Sequence, residues 1–174
     1  MDREIKYIRK MTPDYALPVL GFLGLLISLY IVYVEVNLAA SAMYQPMCDS
    51  ETLGVSCSKV FSSNAGHLLS FVGVVPKRSQ LDLSNGVLGS IFYMIIFVVP
   101  NVEGIPLDVK VWSVLALSIV SSIVSCLLGY VMIRDLKEIC IVCSFLYLVN
   151  LFILIYAHRW YRVLVKMTRK TKLF

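Results

Sequence analysis

Two cysteines three positions apart, Cys140-Ile-Val-Cys143, stand near the start of an apolar run from Ile139 to Ala157. On a helix that spacing puts both sulfurs on one side, close enough for a disulfide or a shared metal ion. A thiol at a helix N-terminus sits at the positive end of the macrodipole, which stabilises the reactive thiolate. Thiol–disulfide exchange also needs a second pair to carry electrons onward. Cys48 and Cys57, with eight residues between them, can supply it. The fifth cysteine, Cys126, lies in the middle of an apolar run and reads as a small buried residue with no redox part. A CxxC pair alone divides between redox chemistry and zinc. Four thiols suit a tetrahedral zinc site, but the gap between Cys48 and Cys57 far exceeds the usual two to four residues, so the expectation is no metal.

The elements that position these cysteines are membrane helices. The chain has 174 residues, 59% of them apolar, and a mean hydropathy of +0.80, too high for a soluble core. The expected fold is an all-α integral membrane protein, a bundle of four transmembrane helices at about residues 15–36, 83–99, 111–133 and 139–157. Residues 1–14 and 158–174 are basic tails, and the first apolar run reads as a retained helix rather than a cleaved signal, since no A-x-A-like site closes it. Pro18 falls in the first turn of that run, where its missing N–H costs little. Gly21 and Gly24 permit a close helix neighbour, and Tyr30, Tyr33 and Glu35 mark its interfacial exit. The loop 37–82 carries Cys48, Cys57, turns at Gln45-Pro46 and Leu53-Gly54, and a short apolar piece, His67–Val75, read as a half-helix cap before Pro76-Lys77-Arg78 returns to water. Ser118, Ser121, Ser122, Ser125 and Gly129 form a small-residue packing seam, and Arg134–Glu138 a short charged loop.

Ten of the 16 basic residues lie in the two tails, so the positive-inside rule makes both termini cytosolic. The loop 37–82 and the loop 134–138 then share the lumenal face, and four cysteines converge there, in the compartment that permits disulfides. The last five residues, Lys170-Thr-Lys-Leu-Phe174, match a cytosolic dilysine address that returns membrane proteins to the endoplasmic reticulum. The basic tails flank membrane segments and carry no nucleic-acid-binding fold, so lipid rather than nucleic acid is the expected partner. A structural alternative is a claudin-like tetraspan in which Cys48 and Cys57 make a passive staple. No tryptophan precedes Cys48, however, and such a protein has no use for the CxxC.

Taken together, Cys48-Asp49, Cys57-Ser-Lys-Val-Phe-Ser-Ser63, Ser84-Asn85-Gly86-Val-Leu-Gly-Ser-Ile-Phe-Tyr93, and Cys140-Ile-Val-Cys143 with Tyr147 and Asn150 resemble the animal-type vitamin K epoxide reductase family. The resemblance spans roughly residues 15 to 157. It implies reduction of vitamin K 2,3-epoxide to the quinone, and of quinone to hydroquinone, in the endoplasmic reticulum membrane. Vitamin K is then substrate, with no permanently bound cofactor, and thioredoxin-like lumenal oxidoreductases are the electron-donating partners. By the same resemblance Cys143 attacks the substrate, Cys140 resolves the adduct, Cys57 forms the relay disulfide with Cys140, and Cys48 meets the partner. Asn85 and Tyr147 hold the quinone oxygens and Phe61 lies over the ring. The same chemistry run backwards is a quinone-dependent thiol oxidase that supports disulfide formation.

From the residues alone, Asn85-Gly86 also reads as a helix cap and Tyr147 as an interface anchor. A naphthoquinone, flat and apolar with two polar ends, calls for an apolar pocket with few polar groups. Tyr147, four past Cys143, shares a helix face with it. Ser62 and Ser63 are candidates to order the loop, and His67 is an ordinary loop histidine. One position departs from the vertebrate pattern: Ala65 stands where a tryptophan is usual, which bears on anticoagulant sensitivity and quinone preference.

Overall fold

A computed structural model describes residues 15–41, 43–50, 55–76, 79 and 81–171. The expected tail 1–14, the Leu53-Gly54 turn, Lys77-Arg78 and residues 172–174 of the dilysine pattern lie outside the described residues. Four longer helices dominate: α1 (Ala16–Ala40), α4 (Asn85–Val98), α5 (Leu107–Val131) and α6 (Ile141–Thr171). Two short ones, α2 (Cys57–Phe61) and α3 (Leu68–Phe71), lie between α1 and α4. Among the described residues the only β pairing is two isolated bridges.

Composition explains why these segments are helices. Their Leu, Ile, Val and Phe runs contain no interior proline beyond the first turn, and in lipid the backbone must satisfy itself within the helix. Boundaries carry local signals. The Ser84 hydroxyl accepts from Val87 N–H at 3.4 Å to cap α4, and Pro100 sits in the 3₁₀ turn Val99–Asn101 that ends it. Three helical stretches, Ala16–Ala40, Leu107–Leu136 and Ile141–Arg169, are long and apolar enough to cross a membrane. Asn85–Asn101 is shorter; the 14 residues of α4 rise about 21 Å at 1.5 Å each, against about 30 Å of hydrocarbon. Phe22, Leu26, Leu29, Ile123, Leu148 and Phe152 remain exposed on the outer faces, where lipid would cover them.

Packing follows the small residues. A Cβ on Gly21 would stand 2.7 Å from the Phe97 backbone nitrogen, and one on Gly24 would run into the Tyr93 ring. These glycines therefore let α4 lie directly on α1. Helix α1 also packs on α6, and α6 on α5, whereas α4 and α5 barely approach one another. Two apolar cores result. One joins Leu17, Leu25, Tyr93, Ile96, Val114, Val149 and Ile153; the other gathers Ile31, Val34, Val60, Phe61 and Met132 around Cys57 and Cys140.

Three expectations change. Helix α1 takes in the first residues of the expected loop 37–82, running on to Ala40. Most of the expected charged loop 134–138 is helical: a π turn, Met132–Leu136, extends α5, and the chain reverses at Lys137, in the left-handed region at φ 52°. Cys126 is exposed rather than buried, because the Ser118 and Ser125 side of α5 takes the inner position and Cys126 lies about 100° around the helix from Ser125.

Candidate active site

The cysteine loop is tied to the chain just before Cys140 by backbone as well as by charge. Ser50 and Val55 exchange hydrogen bonds of 3.0 and 3.2 Å, and Ser56 N–H donates to the Ile139 carbonyl at 3.0 Å. The Lys59 ammonium pairs with the Glu138 carboxylate, which holds Lys59 above the usual ammonium range. Asp49 closes the arrangement. Its Oδ1 accepts from Cys57 N–H at 2.6 Å and Ser58 N–H at 3.1 Å, so it caps the first turn of α2 with a charge-assisted pair of bonds.

This register lines up the sulfurs. Cys48 and Cys57 form a disulfide with Cα atoms 5.9 Å apart, while Cys140 and Cys143 are free thiols. Cys140 Sγ lies 3.7 Å from Cys57 Sγ, and both residues are fully buried. Cys140 stands immediately before α6, and its sulfur accepts from Cys143 N–H at 3.2 Å. Cys48, Asp49 and Cys57 bring ligand atoms within 4.8 Å of one another, but two sulfurs bonded to each other do not act as thiolate ligands.

Cys143 faces a cavity of about 310 Å³, in the size range of small-molecule sites. It occupies the gap between α4 and α5, is walled on other sides by α1 and α6, and is covered by Val60, Phe61, Ala65, Gly66 and Leu68 of the loop. Its lining is mostly apolar. The polar exceptions include Glu35, Asn85, Tyr93, Ser121, Ser125, Tyr147 and Asn150. Cys143, Tyr147 and Asn150 share a face of α6 at i, i+4 and i+7. A buried polar chain crosses the far end: Tyr93 Oη donates to Asn150 Oδ1 at 2.7 Å, Asn150 Nδ2 to Ser125 Oγ at 2.7 Å, and Ser125 Oγ to the Ser121 carbonyl at 2.9 Å.

All seven residues singled out in the sequence thus lie in one connected region: four cysteines in file, with Asn85, Tyr147 and Phe61 on the cavity wall. Asn85 also has a second engagement. Its Oδ1 accepts from Leu68 N–H at 2.8 Å and its Nδ2 donates to the Ala65 carbonyl at 2.6 Å, which pins the covering segment and leaves one amide N–H over. Ser63 Oγ orders the same loop through the Val60 carbonyl at 2.7 Å, and His67 Nδ1 lies 3.1 Å from the Asp82 carbonyl oxygen.

Sequence reasoning read Glu35 only as an interfacial exit and gave Asp49, Tyr93 and Asn150 no individual part in the site. Asparagine in the middle of an apolar run was a usable signal, since such residues seldom face lipid. Asp49 carried none beyond its place beside Cys48.

The profile of the Vitamin K epoxide reductase family matches residues 15–158. The chain belongs to this family. Among relatives, the rat Vitamin K epoxide reductase complex subunit 1 is 34% identical over 131 residues, covering 73% of this chain and 77% of the rat protein. The mouse Vitamin K epoxide reductase complex subunit 1 is 32% identical over the same shares. The family match takes in α1, the cysteine loop, α4, α5 and the first half of α6, hence every sulfur in the file and every residue on the cavity wall. As a vitamin K epoxide reductase family member with membrane-length helices and a disulfide-forming cysteine pair, the protein is a membrane oxidoreductase.

Proposed function

We propose that this protein reduces vitamin K 2,3-epoxide to vitamin K quinone, and the quinone to hydroquinone, with Cys140 and Cys143 as the reducing dithiol. The observation that carries the reading is the unbroken file of sulfurs from a half-buried Cys48, through Cys57 and Cys140, to Cys143 on the cavity wall. In this reading Cys143 attacks the substrate ring carbon and Cys140 then attacks Cys143 sulfur, releasing reduced product and leaving a Cys140–Cys143 disulfide. Cys57 attacks Cys140 to start the return of electrons, and Cys48 exchanges with thioredoxin-like lumenal oxidoreductases. The state with a loop disulfide and a free CxxC dithiol is the one ready for substrate.

Tyr147 and the spare N–H of Asn85 are suited to the two ring oxygens, where donors stabilise the charge that develops during attack. Phe61 covers the ring. Vitamin K enters as substrate, and no permanently bound cofactor is required because the dithiol supplies both electrons. The shorter α4 is the remaining span of a four-helix bundle in the endoplasmic reticulum membrane, with both termini cytosolic and the covering loop lumenal. A claudin-like role would account for the loop disulfide but not for the dithiol buried beside it.

The test is vitamin K epoxide turnover in detergent with a dithiol reductant. Cys143→Ala is expected to abolish it, and Cys126→Ala, exposed on the outer face of α5, to leave it near normal. Full activity in Cys143→Ala overturns the assignment.

A further inference from the structure

Among the described lining residues Glu35 is the one carboxylate, and there is no His, Lys or Arg. It is half-buried near the lumenal end of α1, and its Oε2 accepts from Ser84 Oγ at 2.5 Å. One hydroxyl satisfies only part of a carboxylate's acceptor capacity, and a charged group beside an apolar cavity is costly unless it has a task. The reaction has such a task vacant. Reduction by a dithiol moves two protons from sulfur to oxygen along with two electrons. An amide such as Asn85 does not release a proton, and the ordinary tyrosine pKa near 10 suits Tyr147 and Tyr93 to donating hydrogen bonds rather than cycling protons at neutral pH.

We infer that Glu35 is the proton carrier of the cavity, taking the thiol proton of Cys143 and delivering it to the substrate oxygen. The inference rests on the reductase reading above. With the epoxide as substrate, Glu35 begins as carboxylate. As the Cys143 sulfur bonds to a ring carbon, its proton passes to Glu35, the C–O bond on that carbon breaks, and the oxygen takes the proton to become a hydroxyl. Cys140 sulfur then attacks Cys143 sulfur. The S–S bond forms, the S–C bond breaks, and the released electron pair expels the hydroxyl from the neighbouring carbon, which leaves as water with the proton from Cys140. The substrate gains two electrons, the dithiol loses two, and Glu35 returns to its starting form.

The start of α4 lies close against this turn of α1. A Cβ at Gly86 would stand 2.9 Å from an Ile31 methyl, 3.0 Å from a Val32 methyl and 3.1 Å from Glu35 Oε2, so the glycine lets α4 approach the carboxylate's turn closely. The titratable groups around it are His67, held by Asp82, from the loop, and Cys143 and Tyr147 from α6. None of these is a second carboxylate on the cavity wall.

General acid–base groups contribute about 10²–10⁴-fold, so Glu35→Gln, which keeps an acceptor for Ser84, is expected to lower first-turnover epoxide reduction about 100-fold or more. Wild-type rate falls on the acid side as Glu35 protonates at rest. That limb is expected to vanish in Glu35→Gln and to persist in Glu35→Asp, which also carries the test if the glutamine variant does not fold. Added acetate is expected to restore part of the rate to Glu35→Ala. A Glu35→Gln rate and pH profile equal to wild type, with wild type turning over, overturns the proton carrier and leaves the reductase reading standing. A loss in Glu35→Gln that Glu35→Asp shares without a pH limb, and that acetate does not relieve in Glu35→Ala, reduces Glu35 to a packing residue. Absence of wild-type turnover with any quinone or epoxide overturns both.

Discussion

Asn85 shows how one side chain can carry two demands. Its amide spends an acceptor on Leu68 N–H and a donor on the Ala65 carbonyl, so it fastens the covering segment to the first turn of α4 while facing the cavity. Each such bond contributes about 1 kcal/mol net, and more if its partner is left unpaired. Asn85→Ala is therefore predicted to loosen the cover: about 2 kcal/mol lost in that region, seen as faster proteolysis of the 55–76 segment, and a KM that rises more than kcat falls. Unchanged proteolysis together with a lost kcat would mean that the amide acts on the substrate alone. The backbone carbonyl of Ala65 serves this anchor regardless of its side chain. The absence of a tryptophan there changes the cavity wall, lined by the Ala65 side of the turn, without changing the anchor.

At the scale of elements, the cavity depends on which helices touch. Small residues bring α4 onto α1, whereas α4 and α5 stay apart, and the gap between them becomes the pocket. The contact at Gly21 leaves no room for relaxation, because the near neighbour is backbone, not a flexible side chain. Gly21→Val is predicted to destabilise the bundle by about 1–3 kcal/mol, the usual cost of overpacking, read as a lower Tm in detergent. An unchanged Tm would show that α1 and α4 are not in direct contact there. Loop elements are positioned by a different device. The Ser56–Ile139 backbone bond, the Lys59–Glu138 ion pair and the Asp49 cap set Cys57 against Cys140, so this approach does not depend on the disulfide alone.

For the whole molecule, the sulfurs are graded by burial. Cys48 is half-buried, Cys57 and Cys140 are sealed, and Cys143 opens to the cavity, so the proposed relay would connect the surface to an apolar site through two sealed sulfurs. Cys48→Ser leaves Cys57 without its partner, 3.7 Å from Cys140. Mild oxidation of this variant is predicted to trap a Cys57–Cys140 disulfide, detectable by non-reducing peptide mapping. Recovery of only a Cys140–Cys143 disulfide would show that the 3.7 Å approach is not used for exchange.

Membrane class, helical content and the CxxC pair at the start of the last helix were legible in the chain because they depend on composition and local spacing. Tyr147 and Asn150 share a face with Cys143 by the same local periodicity. What the chain did not reveal is partnership. Gly21 and Gly24 marked a packing side of α1 and the serines one of α5, but helix α1 is otherwise apolar on nearly every side, nothing named the helix that meets each, and Glu35 looked like an exit from the membrane. Only its packing against the start of α4 turns that carboxylate toward the cavity beside Ser84. Likewise Cys126 looked buried because its neighbours are apolar, and the serine face of α5 decided otherwise. The apolar pattern along the chain determined that these segments are membrane helices; how each helix is rotated, and therefore which polar side chains reach the cavity, was decided by close contacts between residues far apart in sequence.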